Sequence, residues 1–428
     1  MNTDGDRWMQ IRTRMDKRNS NRRSSSRALF FICIHLCSSA FICGFSPSPA
    51  AAQDVDFTKA SVAWNLQWDP DWVTAVSFVG NNKVAAGNNL GHILIWELPG
   101  GSGGAAPSLV RRLVGHTNSI NRLVATPDGR WLISASNDHT IRYWDMQAPA
   151  KGEETVPMNA RTREYLIKAR ASKVPALVEV KVPTQEAERT LNVHKDWVLG
   201  LSLSKDGKTL VSGDDKGEVI VWDREAGKER QRWKVKGWVW GLALSPDATN
   251  LCISERVHLI FDSGRHAGLK LWDTKGQMKQ DLGKAMAKEL KDMLIAVAVY
   301  SPDGKLIAIG QGGETDKGKM MLLDAADGKK LREFTPGHYG GTTDMLFHPD
   351  GKHLFTAGRD TVVRVWKTED GKLVKELGTP RGGQFKDWIH AVAVSADGRW
   401  LAAGDMAGAV QVWSLTGNSL PDKGQEKK

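Results

Sequence analysis

Three side chains in one segment have the chemistry of a metal site. His258, Asp262 and His266 follow one another at intervals of four residues. Two imidazoles and one carboxylate form a ligand set that zinc accepts. The segment is a long connection without regular structure, so its spacing does not bring the three groups together. We predict that the chain binds no metal.

Other catalytic motifs are missing from the sequence. The chain has no G-x-S-x-G elbow, no glycine loop followed by Lys-Ser/Thr and no C-x-x-C-H haem motif. The stretch "GQGGETDKGKM" has glycine and lysine, but it connects two strands and lacks the helix whose N-terminus would bind phosphate. We therefore predict a protein that is not an enzyme and needs no cofactor.

The charge of the chain disfavours nucleic acid as a partner. Lys plus Arg number 59 and Asp plus Glu 49 among 428 residues, a formal charge of +10. Residues 1–52 hold eight of the basic and three of the acidic residues, which leaves 51 against 46 elsewhere. So small and evenly spread an excess is not a nucleic-acid footprint.

The N-terminus has the features of an export signal. A basic stretch ends at Arg27, and the apolar run of residues 28–45 follows. Ala50 and Ala52 then fit an A-x-A cleavage site before Gln53. We predict a signal peptide over residues 1–52 and a periplasmic or extracellular mature chain without a membrane span. The alternative is an uncleaved anchor formed by residues 28–45.

Two details of this segment bear on the prediction. Its basic region is long, and a start at Met9 or Met15 instead of Met1 would shorten it. Three of the four cysteines lie within the segment, and only Cys252 remains beyond it. The mature chain can therefore form no internal disulfide, although an exported protein would permit one.

One turn motif recurs through the rest of the chain. "SPDGK" or a variant begins at residues 126, 204, 245, 301, 348 and 395, and "GNNK" at 80 occupies the same place. Aspartate caps such a turn and glycine adopts its positive φ. Alternating apolar stretches flank each turn. A third stretch ends in a large apolar residue: Trp96, Trp144, Trp222, Trp272, Leu323, Trp366 and Trp413. Seven such units predict an all-β repeat protein.

The repeat resembles the WD40 family, including the exported WD40 proteins of some bacteria. The resemblance covers roughly residues 57–416. It implies a seven-bladed β-propeller with four-stranded blades around a central channel. The segment 56–64 resembles an outermost strand that completes the seventh blade beside "VQVWS". We expect the propeller over residues 53–418, an insertion at about 147–186 and a disordered charged tail at 419–428.

The family's blades contain a structural hydrogen-bond network of His, Ser or Thr, Asp and Trp. By resemblance, the second unit supplies all four members as His116, Ser136, Asp138 and Trp144. The sixth keeps three, with Gly358 in the hydroxyl position: His338, Asp360 and Trp366. Lys216 and Ala407 stand in the aspartate position of two other units. We interpret these residues as determinants of the fold and not as a site.

Tryptophans recur where the innermost strand begins. In "RWKVKGWVWGL" (232–242), Trp238 lies nine residues before the turn aspartate, and three other units place tryptophan there: Trp72, Trp197 and Trp388. The resemblance puts this position on the top face, near the channel mouth. Tryptophan there either packs against the neighbouring loop or forms a binding rim.

The pattern as a whole predicts a scaffold for protein or peptide partners. Its binding surface would be the tryptophan rim and the long loops of the fourth and fifth units, on a monomeric propeller. Two alternatives stay open: an oxidoreductase or hydrolase at the channel mouth, or a module that stacks tryptophan on sugar rings. The insertion is either a docking arm or a flexible excursion.

Overall fold

The computed structural model describes residues 55–66, 68, 72–100, 105–256, 268–291, 293–313, 318–378 and 388–417. The predicted signal peptide, the charged tail and the trio His258, Asp262 and His266 lie outside this part of the chain. Within it, seven sheets follow one another in sequence order. The prediction of a seven-bladed propeller is confirmed.

The recurring turn forms because its own side chains accept hydrogen bonds from its backbone amides. The Ser204 hydroxyl donates to Asp206 (2.6 Å), Asp206 accepts the Lys208 amide (3.0 Å), and Gly207 has a φ of +71°. The same 2.6 Å bond joins Ser245 to Asp247, Ser301 to Asp303 and Ser395 to Asp397. Each turn therefore sets the register of the hairpin that it closes.

In each of the first three blades, the innermost strand comes first along the chain and the outermost strand last. Blade one contains β2 (Val73–Val79), β3 (Lys83–Asn88), β4 (Ile93–Glu97) and β5 (Ser108–Val114). Blade two contains β6 (Ile120–Ala125), β7 (Trp131–Ser136), β8 (Ile141–Asp145) and β11 (Arg189–Leu191). Blade three contains β12 (Val198–Leu203), β13 (Thr209–Asp214), β14 (Glu218–Asp223) and β15 (Lys228–Lys234).

Blades four to six have the same order. Blade four contains β16 (Trp238–Leu244), β17 (Asn250–Arg256), β18 (Gly268–Asp273) and β19 (Met278–Asp281). Blade five contains β20 (Ile295–Tyr300), β21 (Leu306–Gln311), β22 (Gly318–Asp324) and β23 (Lys330–His338). Blade six contains β24 (Thr342–Phe347), β25 (His353–Gly358), β26 (Val362–Lys367) and β27 (Leu373–Gly378).

Blade seven joins the two ends of the described chain. It contains β28 (Ile389–Val394), β29 (Trp400–Asp405) and β30 (Val410–Ser414), and its outermost strand is β1 (Ser61–Leu66). β1 pairs antiparallel with β30, with Val62 opposite Trp413. The predicted closure by the N-terminal segment is thus confirmed. A short 3₁₀ helix, Phe57–Lys59, precedes β1.

The core lies between neighbouring blades. β13 is buried at every position because blades cover both of its faces, whereas β15 is mostly exposed. Small residues allow the blades to approach: a Cβ on Gly213 would lie 2.4 Å from Val239, and one on Gly404 would lie 2.3 Å from Val73. The inner strands are therefore packed too closely for a side chain at these positions.

The insertion after blade two is part of a sheet. It forms β9 (Gly152–Pro157), α1 (Ala160–Lys168) and β10 (Glu179–Glu186). β10 runs parallel to β5 and antiparallel to β9, so blade one has six strands. Val156, Met158 and Val182 are buried in the core that blades one and seven share. This connection is an ordered extension of blade one and not a flexible excursion.

The connection between blades four and five also packs inward. It begins with α2 (Leu282–Ala285), and its apolar side chains Leu282, Met286, Leu290 and Met293 are buried. The sequence pattern predicts a binding loop of the fifth unit here, but the apolar residues of this segment fill the space between blades four and five. Among the described residues, no helix is long and apolar enough to cross a membrane.

The segment before β1 provides a test of ring closure. Phe57 is 2% exposed and contacts the rings of His353 (4.4 Å) and Phe355 (5.7 Å) in blade six. We predict that Phe57→Ala lowers the free energy of unfolding by about 3–5 kcal/mol. Val62→Ala, at an exposed position of β1, should cost less than about 1 kcal/mol. Urea denaturation measures both, and equal effects would contradict this role of Phe57.

Candidate functional site

Three blades contain a buried hydrogen-bond network. In blade two, Trp144 Nε1 donates to Ser134 Oγ (2.9 Å), and that hydroxyl lies 2.7 Å from His116 Nε2. His116 Nδ1 lies 2.7 Å from Asp138 Oδ2. Because the ionised Asp138 carboxylate can only accept, Nδ1 of His116 carries the proton, and the Ser134 hydroxyl donates to Nε2.

The same arrangement recurs in two further blades. Blade three joins Trp222, Ser212, His194 and Asp214 with distances of 2.9, 2.7 and 3.0 Å. Blade six joins Trp366, Thr356, His338 and Asp360 with distances of 2.9, 2.8 and 2.8 Å. Each network ties the second and third strands of a blade to the segment that precedes its innermost strand.

The prediction of Ser136 as the network hydroxyl is wrong. Trp144 lies opposite Leu132 in the β7–β8 register, so the diagonal neighbour within reach of its indole is Ser134. Ser136 instead donates to the Asn118 carbonyl and accepts the Asp138 amide.

Two further expectations about the networks also fail. Blade six has its hydroxyl in Thr356, two residues before Gly358. Blade three has its carboxylate in Asp214, two residues before Lys216. A hydroxyl ten residues before the strand-ending tryptophan would have identified all three networks from sequence.

Burial and hydrogen bonding set the ionisation of these groups. Burial lowers the pKa of His116 and His338, although the facing carboxylates oppose this. Burial alone would raise the pKa of Asp138, but hydrogen bonds from His116, Thr140 and the Thr117 amide lower it overall. The networks of blades two and six thus contain a neutral histidine and an ionised aspartate near neutral pH, an arrangement that stabilises these blades.

Blade three also contains a group with metal-ligand chemistry. One ligand atom each of His194, Asp214 and Glu218 lies within 4.8 Å of the others. These groups already have partners within the blade, since Asp214 is hydrogen-bonded to His194 and Glu218 forms an ion pair with Arg232 at 2.9 Å. The cluster is a variant of the structural network.

The four predicted rim tryptophans lie at equivalent positions, all half-buried. Trp238 begins β16, while Trp72, Trp197 and Trp388 directly precede β2, β12 and β28. The carbonyls of three of them accept the backbone amide of the residue that follows the adjacent strand: Asn89 to Trp72 (3.1 Å), Asp215 to Trp197 (3.0 Å) and Met406 to Trp388 (2.9 Å). Trp238 is paired with Arg256 of the adjacent strand. They fall in two neighbouring pairs, on blades seven and one and on blades three and four.

Arginines cover two of these tryptophans. Arg256, the last residue of β17, lies over Trp238 (5.5 Å) and Trp240 (4.8 Å). Arg359 lies 4.1 Å from the ring of Trp388 on the next blade. Such stacking fixes the guanidinium plane. Arg256, Arg359 and Trp240 were not predicted as site residues. The sequence signal is an arginine at the end of the second strand of its unit or immediately after it.

The axial channel below the rim contains charged side chains from distant blades. A cavity of about 420 Å³ is lined by innermost strands, with Arg122, Lys205 and Asp344 as its charged residues. Burial raises the pKa of Asp344, which accepts the Val392 amide at 3.0 Å. Burial, together with Arg359 and Arg122, lowers the pKa of His390 to about 4.

Comparison with known proteins agrees with this geometry. The family model "WD domain, G-beta repeat" matches residues 107–145, 185–223, 328–367 and 372–414. The solved WD40 β-propeller domain of Doa1 is similar, with a TM-score of 0.60 and 16% identity over 83% of this chain and 96% of that chain. The chain belongs to the WD40-repeat family.

Similar curated proteins include several WD40 relatives of different size. Apoptotic protease-activating factor 1 of Rattus norvegicus is 27% identical over 77% of this chain, but the match spans only 22% of that protein. The guanine nucleotide-binding protein subunit beta of Solanum tuberosum is 23% identical over 72% of this chain and 84% of its own length. Target of rapamycin complex subunit wat1 of Schizosaccharomyces pombe is 23% identical over 57% and 76%.

The networks of this WD40 propeller predict unequal roles for two serines of β7. Ser134→Ala leaves the buried Trp144 Nε1 and His116 Nε2 without their shared partner, so we expect a loss of about 2–4 kcal/mol. Ser136→Ala removes bonds nearer the surface and should cost about 1 kcal/mol. Chemical denaturation of both variants tests this, and the reverse order would refute the assignment of Ser134.

His390, on the innermost strand of blade seven, predicts a pH dependence of stability. The pKa of His390 is about 4 in the folded propeller, against 6.5 as the ordinary value. Between these values the unfolded chain binds the proton first, so stability falls as pH falls from 6.5 to 4. His390→Gln should make this decline shallower, whereas Asp344, with its raised pKa, acts in the opposite direction. Urea midpoints across this range measure the slopes, and identical slopes would contradict the prediction.

Proposed function

We propose that this WD40 propeller is a non-catalytic scaffold that binds a protein or peptide at its channel mouth. The observation that carries the proposal is the recurrence of a half-buried tryptophan at the start of, or directly before, four innermost strands. Half-buried aromatic residues with a polar N–H are typical anchors of binding surfaces. Packing alone would require no tryptophan there, since blades two, five and six have Ser119, Leu294 and Gly341.

The relatives support this function. Two of them, a guanine nucleotide-binding protein subunit and a target of rapamycin complex subunit, are by name components of assemblies. The arginines over Trp238, Trp240 and Trp388 add charge to the rim. A charged rim favours a peptide with anionic groups over a neutral sugar.

The channel residues support a non-catalytic role. Among the residues that the structure describes, Asp344 and His390 form no hydrogen bond with each other, and Asp344 is held by a backbone amide. General acid–base chemistry requires groups within hydrogen-bond reach of one another or of a substrate. An enzymatic function would instead require a pair of acid–base groups within hydrogen-bond reach at the channel mouth.

We further propose that the scaffold works outside the cytoplasm. The basic stretch, the apolar run of residues 28–45 and the A-x-A site before Gln53 support this setting. Cell fractionation with N-terminal sequencing of the isolated protein tests it. A chain that begins at Gln53 in the periplasm or medium is expected, and an intact N-terminus in the cytoplasm would refute it.

The rim is tested by a pull-down with the full chain and two variants. In the first, the tryptophans at 72, 197, 238 and 388 are changed to alanine. In the control, Trp131 and Trp400, half-buried where β7 and β29 begin, are changed. Envelope and extracellular fractions provide the prey, and circular dichroism confirms folding. We expect a partner that binds wild type and control but not the rim variant, because aromatic anchors contribute most of the binding energy.

The other outcomes of this pull-down are also informative. Equal capture by all three proteins would mean that the rim tryptophans are structural, and it would refute the rim as the binding surface. Capture of nothing by the wild type would refute the scaffold proposal for these fractions.

A further inference from the structure

Arg256 and two tryptophans form a preoriented group at the mouth of blade four. The backbone pairs Trp238 with Arg256, and Trp240 lies two residues further along β16. The two indoles lie 6.3 Å apart with an angle of 18° between their planes. The guanidinium lies across both, at 5.5 and 4.8 Å from their centroids. Its fork is therefore held in one plane before any ligand binds.

Within the described part of the chain, Arg256 forms no ion pair, unlike two arginines on the outer strands of other blades. Arg232 in blade three binds Glu229 (2.6 Å) and Glu218 (2.9 Å), and Arg364 binds Asp360 (2.8 Å). Arg256 has no such carboxylate within 4.0 Å and no side-chain hydrogen bond among the described residues. A guanidinium has five N–H donors, and none of those on Arg256 is satisfied by this part of the protein.

The surroundings of Arg256 favour the binding of an anion. Burial lowers its pKa, and only Asp215 on blade three opposes this effect. Glu255, the preceding residue, is buried and bound to Lys270 at 2.7 Å, so its charge is already neutralised. A half-buried cation without a partner among the described residues is unfavourable there, and an anion that approaches it is bound more strongly than in water.

We propose that Arg256, stacked on Trp238 and Trp240, is the anchor for a carboxylate of an acidic peptide segment. The inference rests on the proposed function, since it gives the chemistry of the partner at that rim. The planar fork accepts a carboxylate through two parallel N–H···O bonds. The indoles contact the methylene groups of the acidic residue. The carboxylate comes from an aspartate or glutamate side chain or from a chain end, and the experiment separates these sources.

Three matched libraries of short immobilised peptides test the proposal with the full chain. All share the same randomised flanks. The first has a central glutamate and an amidated end, the second a central glutamine and an amidated end, and the third a central glutamine with a free terminal carboxylate. We expect wild type to bind the first or third library in preference to the second. Preference for the first identifies a side chain, and preference for the third a chain end.

The variants assign this preference to one side chain. Arg256→Gln should weaken carboxylate binding by at least about tenfold, as expected for a charge-assisted hydrogen bond. Arg256→Lys keeps the charge without the fork and should fall between the two. Arg399→Gln, which removes an exposed arginine bound to Asp397, should bind like wild type. Since Arg256 has no ion pair in the described fold, its variants should melt at the wild-type temperature.

Two results would overturn the inference. One is equal binding of the three libraries by wild type, or no binding of any. The other is a carboxylate preference that Arg256→Gln leaves unchanged. The rim variant with four alanines separates this failure from that of the proposed function: if it loses binding of all libraries while Arg256→Gln does not, the rim binds peptides and the carboxylate anchor is wrong.

Discussion

The close approach of neighbouring blades is the constraint on which the rest of the structure depends. Seven sheets fit around one axis only where the second strand of a blade presents a small residue to the first strand of the next. A Cβ on Gly87 would lie 2.7 Å from Ile120, and those on Gly213 and Gly404 would lie still closer to Val239 and Val73. Where the small residue is Ser254, its hydroxyl bonds the Ile295 carbonyl of the next blade. Closure by β1 then makes each blade depend on two neighbours.

This packing gives tryptophans at different positions of the repeat different roles. Trp144, Trp222 and Trp366 are buried and donate to a hydroxyl on the neighbouring strand. Trp233 stacks on Trp272 at 5.8 Å, across the boundary between blades three and four. Trp238 and Trp240, a few residues further along, lie at the mouth under Arg256. One short stretch thus contributes first to the core between blades and then to the proposed binding surface.

The rigidity of the ring has a functional consequence. The four tryptophans lie at or directly before the start of innermost strands, whose register is set by hairpin turns at the opposite end. Arg256 and Trp238 are paired within such a hairpin, so their relative position costs no ordering entropy when a partner binds. The six-stranded blade one extends the scaffold on another side, where β9 is an outermost strand.

The sequence by itself determined the number of blades, their strand order and the closing strand. These features depend on local patterns, such as the Ser-Asp-Gly turn and the tryptophan that ends the third strand, and each pattern recurs seven times with few exceptions. It also identified Trp72, Trp197, Trp238 and Trp388 as equivalent positions at the start of innermost strands. The register between β7 and β8 decided that Ser134, and not Ser136, is the network hydroxyl, because only the diagonal neighbour reaches the indole. The tertiary structure alone decided that Arg256 covers two tryptophans, that Arg359 reaches the next blade, and that β10 joins β5. Such contacts join residues distant in the chain, and their geometry depends on how blades pack around the axis rather than on local periodicity.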